Sequence, residues 1–341
     1  MGHGKILRSG LTFVMGLFML GFILTACGST GSTTAAANCT GAVPLAKKAH
    51  YRIGFSQEVD NSPWRIAETT SVQEAASAAG DTVIYTDAQN SDSKQVSDIQ
   101  SIIAQHPDVL LISPLTEDGE ISAIKQAHAA CIPVFLLDRD ADHAKVTPGI
   151  DYVSFLGSDF VKEGERVAAW MITATHGQAN IIELQGTTGA SAATDRTTGF
   201  ANGIANSPGM KIIAAQDANF DRATALKVMQ TLLQSHPNVN VVYAENDEMA
   251  LGAIDALKAA GKVPGKDVLI GSMDGENAGL QAIIAGQEGV IVQCNPRLGD
   301  AAFQAINEYA SGQKVPAWVV SNDNEYTSAN AAQAYTAGDG F

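Results

Sequence analysis

The chain has 341 residues, of which 36 are Asp or Glu and 21 are Lys or Arg, so its formal net charge is −15. This acidic balance argues against a nucleic-acid partner, because a polyanion is bound through a basic surface. The length of the part that follows the N-terminal leader predicts two domains.

The N-terminal segment is typical of an exported protein. Two basic residues precede an apolar stretch from Leu11 to Leu24, and small residues follow it. This pattern predicts a secretory signal peptide over residues 1–26, since the stretch is shorter than the roughly 20 residues that span a bilayer. The run Leu-Thr-Ala-Cys that ends at Cys27 resembles the bacterial lipobox, which implies a lipid anchor on Cys27. The alternative is a plain signal peptide with a chance cysteine.

A Gly/Ser/Thr/Ala-rich segment follows, and residues 27–49 are interpreted as a flexible tether. The remaining cysteines, Cys39, Cys131 and Cys294, are odd in number and have no CxxC spacing, and no two histidines have ligand spacing. We therefore expect neither a metal site nor a cofactor. An exported protein can form one disulfide, but the spacing does not identify the pair.

From residue 51 onward, short apolar strands alternate with longer helical segments. The first set contains predicted strands at 51–57, 82–88, 109–114 and 132–138, with helices near 63–79, 92–105 and 117–129 between them. The second set contains strands at 179–186, 210–216, 239–247, 268–275 and 289–295, with helices near 193–206, 221–235, 248–260 and 276–285. Residues 154–164 are interpreted as the link between the two sets.

The predicted strands are continuous apolar runs, as buried parallel strands are. Repeated strand–helix–strand units predict right-handed crossovers in a doubly wound sheet, so the fold class is α/β with two Rossmann-like domains. The chain is expected to cross between them near 155–158, 294 and 321–326. The boundaries that follow are 50–156 plus 295–323 for the N-terminal domain and 157–294 plus 324–341 for the C-terminal domain.

Polar side chains follow nearly every predicted strand. In open parallel sheets, ligands bind beyond the carboxyl ends of the strands. Asp138 and Arg139 come directly after the buried run Ile132–Leu137, and we interpret them as the floor of a binding site with Arg139 as the partner of Asp138. The other candidates at strand ends are Asn61, Ser62, Trp64, Arg65, Asp195, Arg196, Asn246, Asp247, Asp274 and Gln293.

These residues fit a sugar better than other ligands. Each sugar hydroxyl both donates and accepts hydrogen bonds, so carboxylates together with arginine or amide donors satisfy both functions. The apolar C–H face of a sugar stacks on aromatic rings, and Trp64 and Phe220 are candidates for this contact. Ordinary packing on the first helix is the alternative for Trp64.

Several motifs now show a resemblance. The runs "GFSQ…SPWRIAET", "PVFLLDRD", "ELQGTTGASAATDRTTGF", "NFDRATALKVMQ", "VVYAENDEMALGAI" and "GSMDG" occur in this order. They resemble the ribose- and galactose-type periplasmic sugar-binding proteins of ABC importers, and within that family the galactofuranose-binding type, from about Tyr51 to the C-terminus. The resemblance implies the type I periplasmic-binding-protein fold with a three-segment hinge.

The resemblance also implies a ligand-binding set. The positions that match the family's ligand contacts are Asn61, Ser62, Trp64, Arg65, Asp138, Arg139, Arg196, Asn246 and Asp274, with Phe220 as the second stacking aromatic. The chain departs from the galactofuranose pattern in "EVDNSP", residues 58–63, and at Gln293, where that pattern carries an acid. We keep Gln293 as a candidate contact, and the identity of the sugar stays open.

The implied function is capture of a monosaccharide and its delivery to the permease and ATPase of an ABC importer by a monomeric, lipid-anchored protein outside the cytoplasmic membrane. A binding protein that feeds a chemosensory or signalling receptor is the alternative. A glycoside-acting enzyme would need two carboxylates that flank one bond. We do not expect one, because an arginine or a polar cluster beside each candidate acid would keep it ionised.

Overall fold

The structure is a computed structural model, and it describes Met1 and residues 39–341. Cys27, the signal peptide and most of the tether lie outside the described residues. The elements in chain order are β1 (Arg52–Gln57), α1 (Pro63–Ala79), β2 (Thr82–Asp87), α2 (Asp92–Ile103), β3 (Val109–Ile112), α3 (Ile121–Ala129), β4 (Val134–Leu137), β5 (Ser154–Gly157), α4 (Phe160–Thr175), β6 (Ala179–Gln185), α5 (Ser191–Ile204), β7 (Met210–Asp217), α6 (Arg222–Ser235), β8 (Val241–Ala244), α7 (Asp247–Ala259), β9 (Leu269–Asp274), α8 (Asn277–Ile284), β10 (Val290–Gln293), α9 (Gly299–Ala310), β11 (Trp318–Val320), β12 (Glu325–Thr327) and α10 (Ala331–Ala337).

The strands form two six-stranded sheets. The first has the order β11-β5-β4-β3-β1-β2 with every pair parallel. The second has the order β12-β10-β9-β8-β6-β7, and only its edge strand β12 is antiparallel. We call the first sheet with its helices lobe 1 and the second lobe 2. The predicted fold class, two doubly wound α/β units, is confirmed.

Both sheets are covered on both faces, which explains the continuous apolar runs. In lobe 1, Leu111 and Phe135 point into one core cluster, while their chain neighbours Leu110 and Leu136 point into the cluster on the other face. Alternate residues of a strand face opposite sides of the sheet, so a strand between two helical layers needs apolar residues at every position.

Residues 154–164 contain the crossing between the two sets, but most of the segment is regular secondary structure. Residues 154–157 are β5, which pairs with β4 through the register Leu136↔Phe155. The rest of the segment begins α4, a 16-residue helix that is capped by Asp159, whose side chain accepts the backbone N–H of Lys162. Strand β5 is only four residues long, and α4 follows it after two residues, so no turn-rich gap marks the end of the strand.

Three segments connect the two sheets. The first follows β5 and leads into α4, the second follows β10 and leads into α9, and the third joins β11 to β12. Helix α9 packs on α1 in lobe 1, whereas α4 packs on α5, β9 and β10 in lobe 2. None of the helices that the structure describes has the length and apolar character needed to cross a membrane.

Candidate ligand-binding site

A cavity of about 310 Å³ opens between the carboxyl ends of the two sheets. Its size is at the lower end of the range for small-molecule sites. Ten of the thirteen sequence-predicted residues line it, namely Asn61, Ser62, Trp64, Arg65, Asp138, Arg139, Arg196, Phe220, Asn246 and Asp274. Lobe 1 supplies the first six and lobe 2 the last four.

Three of the predicted residues, Gln293, Asp195 and Asp247, do not line the cavity. The side-chain Oε1 of Gln293 accepts the backbone N–H of Asn324 at 3.2 Å, and its own N–H donates to the Asn324 carbonyl. Gln293 therefore ties β10 to the segment that leads into β12. Asp195 lies on α5 outside the cavity lining, and Asp247 is buried, where it accepts the N–H groups of Gly275 and Glu276.

Arg65 is the centre of the charge network in lobe 1. Its Nε lies 2.7 Å from Glu58 Oε1, its Nη1 lies 2.9 Å from Glu68 Oε2, and its Nη2 lies 2.6 Å from Asp138 Oδ2. The side chain is 7% exposed. Burial is the largest single effect and lowers its pKa, but the three nearby carboxylates together outweigh it and raise the pKa above its ordinary value. Arg65 thus holds Asp138 at the edge of the cavity.

Arg139 has a nearer partner than the predicted Asp138. Its Nη1 lies 2.6 Å from Glu58 Oε2 and also donates to the Leu115 carbonyl at 2.8 Å. The distance from its Nε to Asp138 Oδ2 is 3.8 Å, too long for a hydrogen bond. The hydrogen-bonded partner of Asp138 is therefore Arg65, and the predicted pairing with Arg139 is present only as a longer ion pair.

In lobe 2, the cavity residue Arg196 is buried among carboxylates of the same lobe. Arg196 Nε lies 2.7 Å from Glu163 Oε2, and its Nη2 lies 3.3 Å from Asp274 Oδ1. Its Nη1 donates to the Glu245 carbonyl at 2.5 Å. Every partner of Arg196 is in lobe 2, just as every partner of Arg65 is in lobe 1.

Burial changes the pKa of two carboxyl groups in lobe 2. It raises the pKa of Glu163 to about 8 and raises the pKa of Asp274 well above its ordinary value, although Arg196 acts in the opposite direction on both. At Asp274, burial therefore opposes the ionising effect that was expected from the arginine. A protonated carboxyl group can donate a hydrogen bond as well as accept one.

The two predicted aromatic residues lie on different sides of the cavity. Trp64 donates its indole N–H to the Cys294 carbonyl at 2.8 Å, and the Arg65 guanidinium lies 4.5 Å from its ring centroid. The Phe220 ring lies 5.3 Å from the guanidinium of Arg139 and 5.9 Å from that of Arg196. Phe220 therefore lies close to an arginine of each lobe.

Two of the predicted contact residues also cap helices. Ser62 caps α1 by accepting the backbone N–H of Arg65 at 3.3 Å, and Asn246 caps α7 by accepting that of Met249 at 2.9 Å. The Asn246 amide donates to the Phe220 carbonyl at 3.3 Å. The Ser62 cap thus fixes the helix end that carries Arg65, and the Asn246 amide holds the backbone of Phe220.

Backbone conformation at the site is unusual. Asp138 has φ 61°, Phe220 has φ 56° and Asp274 has φ 117°, a region that costs a non-glycine residue about 1–3 kcal/mol and that concentrates at functional sites. A Cβ at Gly186 would lie 2.0 Å from Phe220 Cζ. The ring therefore requires glycine at that position.

Several residues that the sequence analysis did not select also line the cavity, and they come from both lobes. Glu58 and Cys294 lie in its wall, and Asn90, Asn219, Arg222 and Glu248 are also among the lining residues. Glu58 directly follows β1, so the rule that strand ends carry the site could have identified it. Cys294 lies one residue beyond β10, where a buried thiol resembles an ordinary core residue.

Hydrogen bonds connect the lobes, among them those from Trp64 to the Cys294 carbonyl and from Arg297 to the Asp339 and Gly340 carbonyls. The backbone N–H of Glu117 donates to the Gly189 carbonyl at 2.8 Å, and that of Asp140 donates to Ser191 Oγ at 2.9 Å. Among residues 39–341, no ion pair joins a residue of one lobe to a residue of the other. No salt bridge therefore crosses the cleft in the described part of the chain.

Comparisons with known proteins agree with this geometry. The sequence profile of the periplasmic binding protein domain matches residues 53–314. The galactofuranose-binding protein YtfQ of Escherichia coli K12 is 37% identical over 276 residues, 80% of this chain and 86% of YtfQ. The ribose import binding protein RbsB of Bacillus subtilis 168 is 36% identical over 295 residues, 86% of this chain and 91% of RbsB.

A solved structure is similar over most of the chain. It is the periplasmic binding protein component of the arabinose ABC transporter from Shewanella sp. ANA-3, bound to α- and β-L-arabinofuranose. It is 37% identical, has a TM-score of 0.80, and the match covers 84% of this chain and 95% of that structure. The profile match and these identities show that the chain belongs to the periplasmic binding protein domain family.

Proposed function

We propose that this protein captures a neutral monosaccharide in its furanose form between the two lobes and delivers it to the permease of an ABC importer, which a separate ATPase drives. The observation that carries the proposal is the cavity, in which each lobe presents an arginine paired with a carboxylate. In lobe 1 the pair is Arg65 with Asp138, and in lobe 2 it is Arg196 with Asp274.

The chemistry of the lining supports a neutral polyhydroxyl ligand. Arginines and carboxylates are present in similar numbers, so the cavity has no strong preference for an anion or a cation. Ionised carboxylates accept from hydroxyl groups, arginines donate to them, and a protonated Asp274 could donate to a ring oxygen. Trp64 and Phe220 supply apolar faces for the C–H side of a sugar.

Two of the relatives support the furanose form, since YtfQ is a galactofuranose-binding protein and the Shewanella protein is bound to arabinofuranose. RbsB is a ribose import binding protein. We therefore place galactofuranose-like sugars first, with other pentoses and hexoses behind them. We propose no turnover of the sugar, because the relatives are import and binding proteins.

Binding is coupled to closure in this proposal. The arginine networks of each lobe are satisfied within that lobe, so the lobes gain little electrostatic attraction from each other when the cavity is empty. A sugar that bonds to both networks would favour the closed state and shift the equilibrium toward it by hinge motion. We propose that the hinge consists of residues 155–158, 294 and 321–326. We also propose that the domain boundaries are those predicted from the sequence and that the protein is a monomer.

A calorimetric and thermal-shift screen tests the function. D-Galactose, L-arabinose and D-ribose, which contain furanose forms at equilibrium, should each be compared with glucose 6-phosphate and with amino acids. We expect at least one of the three neutral sugars to raise the melting temperature, since a ligand that binds only the folded state stabilises it by mass action. A shift only with the phosphorylated sugar or with amino acids would refute the assignment.

We also propose that the protein is anchored by a lipid on Cys27 at the outer face of the cytoplasmic membrane or in the periplasm. The lipobox-like run before Cys27 supports this part of the proposal. Cys27→Ser should release the protein from the membrane fraction and leave sugar affinity unchanged, because the tether is remote in sequence from every cavity residue. Recovery of this variant with membranes, while a signal-peptide control is soluble, would contradict lipid anchoring.

A further inference from the structure

Glu58 joins two arginines of the cavity. It directly follows β1, is 2% exposed, and lines the cavity. One carboxylate oxygen lies 2.7 Å from Arg65 Nε and the other lies 2.6 Å from Arg139 Nη1. The backbone N–H of Glu58 donates to Gln57 Oε1 at 3.0 Å, which fixes the start of the segment.

Arg139 depends on this carboxylate more than Arg65 does. Arg65 has two further carboxylates within 3 Å, those of Glu68 and Asp138. Arg139 has only Glu58 at ion-pair distance below 3 Å, and its Nε lacks a hydrogen-bond partner among the described residues. Burial lowers the pKa of Arg139 while Glu58 raises it, so Glu58 stabilises the charged form of this arginine.

The carboxylate of Glu58 still has room for a ligand. Two carboxylate oxygens offer about four acceptor positions, and the two arginines use one position on each oxygen. The remaining positions belong to a side chain in the cavity wall, where a hydroxyl donor could reach them. Glu58 also opens the segment 58–63 in which the sequence departs from the galactofuranose pattern.

We propose that Glu58 is a sugar-recognition residue that orients Arg65 and Arg139 and accepts a hydrogen bond from one ligand hydroxyl. The proposal rests on the proposed function and identifies the residue through which this chain selects among furanoses. A hydrogen bond from a hydroxyl to a charged acceptor is stronger than one to a neutral group. Loss of this acceptor should therefore change both affinity and the discrimination between sugars.

The test compares the parent protein with Glu58→Gln by calorimetric titration with D-galactose, L-arabinose and D-ribose. We expect the variant to lose at least about tenfold in affinity for each sugar that the parent binds. Glu74→Gln, a carboxylate on the exposed side of α1, is the matched control and should bind within about twofold of the parent. Glu58→Asp keeps the charge and serves as the second variant if Glu58→Gln does not fold.

Deoxy sugars separate recognition from a purely structural role. The parent should bind at least one of 2-deoxy-D-galactose, D-fucose and 2-deoxy-D-ribose about tenfold or more weakly than the sugar that carries the hydroxyl, and this penalty should shrink below about threefold in the variant. If the deoxy-sugar penalties are the same in Glu58→Gln as in the parent, or if the variant binds the sugars within threefold of the parent, the proposal for Glu58 alone is overturned. A parent that binds none of the sugars would refute the proposed function and Glu58 recognition with it.

Discussion

Replacing Arg65 with alanine should abolish measurable sugar binding and destabilise the protein. The change removes the cation that lies within 3 Å of Glu58, Glu68 and Asp138, and it leaves three buried carboxylates close together. Breaking a buried ion pair by removing one partner costs about 3–5 kcal/mol. A loss of that size in binding corresponds to at least about a hundredfold in affinity.

Two comparisons make this result specific. Arg52 lies at the opposite end of β1, is exposed, and donates to the Gln105 carbonyl at 2.6 Å, so Arg52→Ala should leave affinity unchanged. Arg65→Lys keeps the charge but cannot reproduce the three-way contact of the guanidinium, and it should fold while binding more weakly than the parent. Calorimetric titration of all three variants measures the affinities, with thermal melting as the folding control. An affinity of Arg65→Ala within tenfold of the parent would contradict the role assigned to Arg65.

Much of the fold could be predicted from the sequence because most strands are continuous apolar runs that are separated from the neighbouring helices. The predicted helix near 63–79 coincides with α1, for which Pro63 at the start and Gly80 with φ 73° at the end give local signals. Strand β5 was missed because its four residues merge with the helix that follows. Edge strands β11 and β12 have three residues each and carry no periodic pattern.

Site residues could be located from the sequence more easily than their partners. A residue that follows a parallel strand must lie at the ligand edge of the sheet, which places Asp138 and Asp274 without any knowledge of side-chain conformation. The choice between Arg65 and Arg139 as partner of Asp138 depends on where α1 packs. Arg139 follows Asp138 directly, but the positive φ of Asp138 turns the chain so that Arg139 points to Glu58.

Removing the disulfide should cause the largest loss of stability outside the cavity. The structure pairs Cys39 with Cys131, which are 92 residues apart, and leaves Cys294 as a buried thiol. A cross-link that closes a loop of this length restricts the unfolded chain and typically stabilises the folded state by about 2–4 kcal/mol. Cys39→Ser combined with Cys131→Ser should lower the free energy of unfolding by this amount in urea titrations.

Sugar affinity should stay within about twofold of the parent in the same double variant. Cys131 lies before the amino end of β4, whereas the cavity lies at the carboxyl ends of the strands. Other contacts keep residues 41–43 on lobe 1, because Tyr309 donates to the Val43 carbonyl at 2.6 Å and the His128 ring lies 2.8 Å from the Gly41 carbonyl. A parent protein treated with a reductant should melt like the double variant, and an unchanged free energy of unfolding in both would show that the cross-link contributes nothing to stability.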